Sequence, residues 1–275
     1  MFPWNYGFHW TSGSVVFLGA FYGVLVVVAA TVLAALWRSR RALAGKRTEE
    51  IRWRSEFLDL PPRDRSCRHM LTGELRHREC LDTFDCRHCE THARFVPGEP
   101  AATPHAPDEE ILGMAFPLDR FYHRGHTWAR PEADGTITIG LDELGRRLLG
   151  APDRIELPRV GTRIHANGTG WRVRKGKAII RLRAPVDGEV VDTGGPECGW
   201  TLRVKPPKGR ADFRHLLVPC EIKPWLLREA ERLQLALAPA GVPTLADGGA
   251  MVPDLSAVGA EADWNTACDL LLLQG

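Results

Sequence analysis

Apolar and polar positions change rhythm several times along the chain. From Val15 to Leu36 the sequence VVFLGAFYGVLVVVAATVLAAL carries no charge, and about 22 residues rising 1.5 Å each span about 33 Å, enough to cross a bilayer. This predicts a transmembrane helix over residues 14–37. A cleaved leader needs positive charge ahead of its apolar run, and Met1–Gly13 contains no Lys or Arg. A buried core helix is rarely apolar on every face. Much further on the period drops to two. Ile137, Ile139 and Leu141 alternate with Thr138 and Gly140 after an Asp134-Gly135 turn, the pattern of a hairpin strand with one buried face. Leu141–Leu149 reads as a short helix. Trp171 and Val173 alternate with Arg172 and Arg174, and Ile180 and Leu182 with Arg181 and Arg183. Two strands thus place apolar side chains inward and arginines outward. Between them, Lys175-Gly176-Lys177 makes a tight turn because Gly176 tolerates φ > 0, which puts Lys177 at or beside the tip. Pro185–Val191 and Gly199–Pro206 supply further turn-and-strand segments, and a helix near Pro224–Leu237 closes the β-rich stretch.

Composition adds limits. With 275 residues, 44% hydrophobic and 25% charged, the chain is neither disordered nor collagen-like, and its length suits two compact domains. Thirty-six Lys and Arg against 34 Asp and Glu leave a net charge of +2, so no nucleic-acid partner is expected. Charge placement is more telling than the total. Arg38, Arg40, Arg41, Lys46 and Arg47 follow the apolar run directly, while Trp4, Tyr6, Phe8, Trp10 and Trp37 suit the two headgroup levels. The positive-inside rule then predicts a single-pass inner-membrane protein. Residues 1–13 form an extracytoplasmic tail, 38–62 a basic juxtamembrane segment, and everything after Trp37 is cytoplasmic.

A reducing cytoplasm disfavours structural disulfides, which changes how the cysteines read. Four of the seven, Cys67, Cys80, Cys86 and Cys89, fall within residues 63–95 in a C-x12-C-x5-C-x2-C spacing. A CxxC pair offers two thiolates from one turn, and two more distant cysteines complete a four-sulfur set suited to zinc or an iron–sulfur cluster. The segment has few large apolar residues, so bound metal would supply folding free energy. The alternative is four unligated thiols in a basic loop. His69, His77, His88 and His92 are substitute ligands or plain polar residues; Cys198, Cys220 and Cys268 read as ordinary thiols. Residues 96–114 are rich in Pro and Ala and read as a linker.

The β-rich part resembles the H protein of the glycine cleavage system. The stretch YHRGHTWAR from Tyr122 to Arg130 looks like that family's opening motif, followed by DGTITIG from Asp134, IELPRVGT from Ile155, PVDGEV from Pro185, Gly199-Trp200 and Lys205-Pro206 in the same order. The resemblance implies a mainly β fold over residues 115–237, a lipoyl-type barrel-sandwich hybrid with flanking helices. It also implies lipoate on Lys177, the candidate attachment residue, and no catalytic group of the chain's own. Two departures stand out. Where the family leads one to expect an acidic residue three positions before the lysine there is Arg174, with Lys175 beside it, and the link Asp192–Pro196 is short. A ligase reads that surface, so little lipoylation is expected. The arginine-rich strand face offers an anionic-partner or lipid-headgroup patch. Residues 238–275 read as a flexible tail ending in the apolar cluster around Trp264 and Leu270–Leu273, which docks on its own domain. The leading expectation is a membrane-tethered, non-catalytic H-protein-like carrier or assembly subunit of a cytoplasmic-face redox complex, partnered by proteins of that complex. The alternatives are a genuine lipoyl-lysine carrier of the aminomethyl group in glycine cleavage and a metal-dependent adaptor or sensor.

Overall fold

The computed structural model describes residues 11–43, 47–96, 98, 108–195, 198–237, 249–257 and 261–274. Trp4, Tyr6, Phe8 and Trp10 lie outside the described residues, as do stretches 99–107 and 238–248 of the expected linkers. The chain divides into two units, Met1–Thr48 and Glu49–Gly275. In the first, helix α1 (Ser12–Leu43) starts where Thr11 Oγ1 accepts the Ser14 amide, a side-chain cap for an otherwise orphaned donor. Its Ser12–Arg38 part is long and apolar enough to cross a membrane, with a mean hydropathy of 2.5 and no burial within the protein.

Helix α2 (Arg47–Asp59) leads into the second unit. It buries Trp53 and Phe57, with Leu60 just beyond its end, against Phe84 and Leu273. The sequence reading has only a basic segment here. The cysteine stretch follows in short turns, then helix α3 (Glu90–Phe95). Strands β1 (Glu109–Ile111) and β2 (Met114–Phe116) form a small hairpin. Next come β3 (Phe121–Tyr122), β4 (Thr127–Pro131), β5 (Ile137–Leu141) and helix α4 (Glu143–Leu149). Asp142 caps α4 by accepting the Gly145 amide at 2.8 Å, and Gly150 ends it at φ 58°, so the expected short helix forms with an Asp start and a Gly stop. Then follow β6 (Arg154–Glu156), β7 (Arg163–Ile164), β8 (Thr169–Lys175), β9 (Ala178–Arg183), β10 (Gly188–Thr193) and β11 (Leu202–Lys205). Helices α5 (Pro219–Leu237) and α6 (Glu261–Leu271) complete the fold.

The strands form a six-stranded antiparallel sheet, β3-β4-β5-β11-β10-β7, and a three-stranded one, β6-β8-β9. Alternation along each strand sends Ile137, Ile139, Val190, Leu202 and Val204 from the first sheet, and Trp171, Val173, Ile180 and Leu182 from the second, into one core. The sheet-rich lipoyl-type domain expected from the sequence is what the chain builds. Helix α5 begins at Pro219, before the expected start, because Glu221 reaches back to accept the Val218 amide at 2.9 Å and closes an earlier first turn.

One expectation fails in part. Arg183 is on the outward face of β9 yet is only 2% exposed. Alternation says which side of a sheet a residue takes, not whether another layer covers that side. Here α2 covers it: Glu56 pairs with both Arg181 and Arg183, and the Arg183 guanidinium stacks on Trp53 at 4.3 Å. The basic face is therefore shortened: Arg183 is withdrawn from it and Arg181 is half-buried, while Arg172, Arg174 and Lys177 stay exposed.

Candidate functional site

The β8–β9 turn is built by two residues. Lys175 and Ala178 pair across it, and only the first central residue, Gly176 at φ 56°, takes a positive φ, the type II′ geometry that matches strand twist. Lys177 therefore stands at the tip, exposed, and no described residue forms a hydrogen bond or ion pair with its ammonium group. Its basic neighbours are engaged elsewhere. Arg174 donates to Glu156 at 2.6 Å. Lys175 donates to the Leu149 carbonyl at 2.7 Å and to Ser256, and lies 5.7 Å from the centre of the Trp264 ring. Asp153 accepts the Gly176 amide at 2.7 Å. Strand β6 and the residue before it thus bring two carboxylates to a turn whose own sequence is basic.

The second cluster lies in the cysteine stretch. Cys67, Cys80, Cys86 and Cys89 all line one cavity, with His69, His92, Arg68 and Arg124 among its other walls. Among the described residues, no three His, Cys, Asp or Glu side chains are grouped as a single metal ion requires. His69 and His92 are buried and hydrogen-bonded to each other at 3.0 Å. Burial pushes His92 down to about 4, with Arg68 adding to the effect. His77 and His88 are exposed. Burial raises the Cys80 thiol and pushes Cys86 up to about 12, against the pull of Arg68. Cys198 and Cys220 are exposed, and Cys268 is buried away from the cavity.

This stretch is tied firmly into the β domain. Arg68 pairs with Glu221 and donates to the Arg214 carbonyl at 2.8 Å. Arg124 donates to the Ser66 carbonyl at 2.8 Å, and Arg87 joins Asp85 to Asp187 with both contacts at 2.6 Å. Sequence reasoning assigned no role to Arg68, Arg87 or Arg124, because the partners that tie them to the β domain, Glu221, Asp187 and Ser66, are far away in the chain.

It also missed a buried charge cluster. His126 Nδ1 lies 2.9 Å from Asp142, and its Nε2 faces Glu229 at 4.0 Å, within ion-pair reach but beyond a hydrogen bond. The ring stacks on Trp225 at 4.8 Å. Burial disfavours the imidazolium, but the two carboxylates outweigh it and raise His126 to about 9. The residue was visible in the YHRGHTW motif; its two partners were not.

Against known proteins, the sequence profile of the family described as Glycine cleavage H-protein matches residues 120–195. The chain is 33% identical over 114 residues to the glycine cleavage system H protein 2 of Pseudomonas syringae pv. tomato, spanning 37% of this chain and 89% of that one. Over 123 residues it is 33% identical to the glycine cleavage system H protein of Neisseria gonorrhoeae, spanning 40% of this chain and 92% of that one. A solved glycine cleavage system H protein from Mycobacterium marinum aligns with a TM-score of 0.35 at 24% identity, over 42% of this chain and 99% of that one.

Proposed function

Because the chain belongs to the glycine cleavage H-protein family, we propose that it is a membrane-anchored, non-catalytic carrier that works through a lipoyl group on Lys177. The observation that carries this reading is the geometry of the β8–β9 tip. An exposed amine on a rigid two-residue turn, with no partner among the described residues, is what amide attachment of a long arm needs. Bound lipoate would supply a reactive dithiolane on a swinging tether. The chain's own residues hold the turn and shape its surface. The sequence-based ground for expecting little lipoylation was the basic flank of Arg174 and Lys175. Glu156 pairs with the first of these, the second is drawn toward Leu149 and Ser256, and Asp153 sits beside the tip. Acidic groups that the turn lacks in sequence are thus supplied across the sheet by Glu156 of β6 and by Asp153 just before it, and a ligase meets a tip flanked by carboxylates as well as by basic residues.

Helix α1 is the anchor, with the N-terminus outside and the carrier domain in the cytoplasm, where it serves protein partners of a glycine-cleavage-like or redox complex. The length and apolarity of Ser12–Arg38 support the anchor, and the arginines after Trp37 support the orientation. Mass analysis of the peptide spanning Val173–Arg181, from the chain expressed in its native host, tests the central claim. A lipoyl adduct on Lys177 is the expected result. A bare lysine in cells whose other lipoyl proteins are modified refutes the carrier reading and leaves a role in assembly.

A further inference from the structure

We propose that Cys67, Cys80, Cys86 and Cys89 form one metal centre with sulfur-only ligation, and that Arg124 is buried beside it to balance the charge of its thiolates. This goes beyond the carrier reading and does not depend on it. Two observations point to this cavity, one from the cysteine stretch and one from Arg124. The four cysteines all line it, although 22 positions separate the first from the last. Around Cys80 the chain turns with Thr83 at φ 52° and Phe84 at φ 59°, and Arg68, which pairs with Glu221, lines the same cavity.

Arg124 makes the argument sharper. It is 8% exposed, lines the same cavity, lies over the Phe84 ring at 4.0 Å and donates a hydrogen bond to the Ser66 carbonyl. No described carboxylate forms an ion pair with it. Among carboxylates, Glu229 bears on it most, but Glu229 is held by Arg232 at 2.7 Å and faces His126. Opposite neutral thiols the guanidinium would share that one carboxylate with two other cations, an arrangement that is destabilising. Opposite metal-bound thiolates the same guanidinium is paired, because a coordinating thiol is deprotonated outright.

The chemistry shared by the two possible occupants is ligation by four cysteine sulfurs, and both zinc and a four-iron cluster accept it. The sulfurs ring the cavity without three donors grouped for one ion. Binding of either requires the sulfurs to regroup around it.

The test uses the full chain, extracted in mild detergent and purified without oxygen. Iron, zinc and acid-labile sulfide are measured per chain, together with the number of thiols that react with an aromatic disulfide before and after a strong chelator. The expected result is either about four irons with matching sulfide or about one zinc per chain, and chelation that exposes additional thiols. Protein without either metal, whose thiol count is unchanged by chelator, overturns the proposal without any substitution. The double variant Cys86→Ser, Cys89→Ser is expected to lose the metal, while Cys198→Ser, Cys220→Ser keeps it. Equal metal in both overturns the assignment of ligands. Arg124→Met, with its fold checked by circular dichroism, is expected to lose metal to chelator roughly 10-fold faster or more, the usual effect of removing a group that supports ligands from behind. An unchanged rate overturns the role given to Arg124. Lipoylation of Lys177 is scored separately, so failure of one proposal leaves the other measurable.

Discussion

Replacing His126 by Asn tests whether a buried charge holds three elements together. His126 ends the turn before β4, Asp142 caps α4 and Glu229 projects from α5, so one imidazolium joins all three. Asn suits the site sterically, because position 126 sits at φ 61°, a region Asn tolerates. The folded-state value of about 9 lies above the ordinary 6.5, and about 2.5 units at 1.36 kcal/mol each come to about 3 kcal/mol. The side chain is wholly buried, so no solvent screening reduces this. A group whose pKa rises on folding contributes its full stability below the unfolded value and loses it as pH rises through the folded one. The contribution is therefore complete below pH 6.5 and fades by about pH 9 to 9.5. Urea unfolding of both proteins in detergent, followed by circular dichroism, gives the stability difference at each pH. Lost packing against Trp225 shifts that difference equally at every pH, so its change with pH is the diagnostic. The gap between wild type and variant should narrow by about 3 kcal/mol from pH 6 to pH 9.5. Parallel stability curves across that window would refute the charged cluster and leave His126 as a neutral packing residue.

Two further outcomes are expected. Trp264 is buried and donates to the Leu148 carbonyl at 2.7 Å, so Trp264→Ala should destabilise the second unit by about 3–5 kcal/mol in the same urea assay, and a loss below about 1 kcal/mol would show that α6 is dispensable. A reporter fused to the C-terminus should behave as cytoplasmic in whole cells, and activity of a periplasm-dependent reporter there would reverse the proposed orientation.

Local pattern made much of the carrier domain legible. The period-two runs at Ile137–Leu141, Trp171–Val173 and Ile180–Leu182 correspond to β5, β8 and β9, and Gly176 turns where its missing Cβ allows. What escaped depends on layers. The Trp53, Phe57 and Leu60 spacing of i, i+4, i+7 was present, but Arg47, Arg52 and Arg54 around it made the segment read as a membrane-side charge run. Once α2 is recognised as a buried-face helix, the sheet beneath it must be covered, and the fate of Arg181 and Arg183 follows. Likewise the sequence shows Arg174 and Lys175 as charges, while Glu156, Leu149 and Ser256, which engage them, sit 18 to 81 positions away. The four cysteines were legible as a set; they line one cavity, without three donors grouped for one ion. That Arg124 lines the same cavity was not legible, since nothing in YHRGHTW ties its arginine to a stretch 35 or more positions earlier.

The segments outside the family match have a structural task that explains their contacts. Strand β9 is an end strand of the three-stranded sheet, and an uncovered end strand offers unpaired amides and carbonyls to any other chain. Gln274 closes this edge as a short strand would: its side-chain oxygen accepts the Arg181 amide at 2.8 Å, and its side-chain nitrogen donates to the Arg181 carbonyl at 2.6 Å. Glu56 fixes the outward arginines of the same strand, and the Leu273 carbonyl accepts from Arg183 at 2.6 Å. Two segments from opposite ends of the second unit therefore converge on the strand that leads away from Lys177. They leave its tip uncovered and hold its far end. A carrier needs this division, because a swinging arm searches efficiently only when its point of attachment does not move with it.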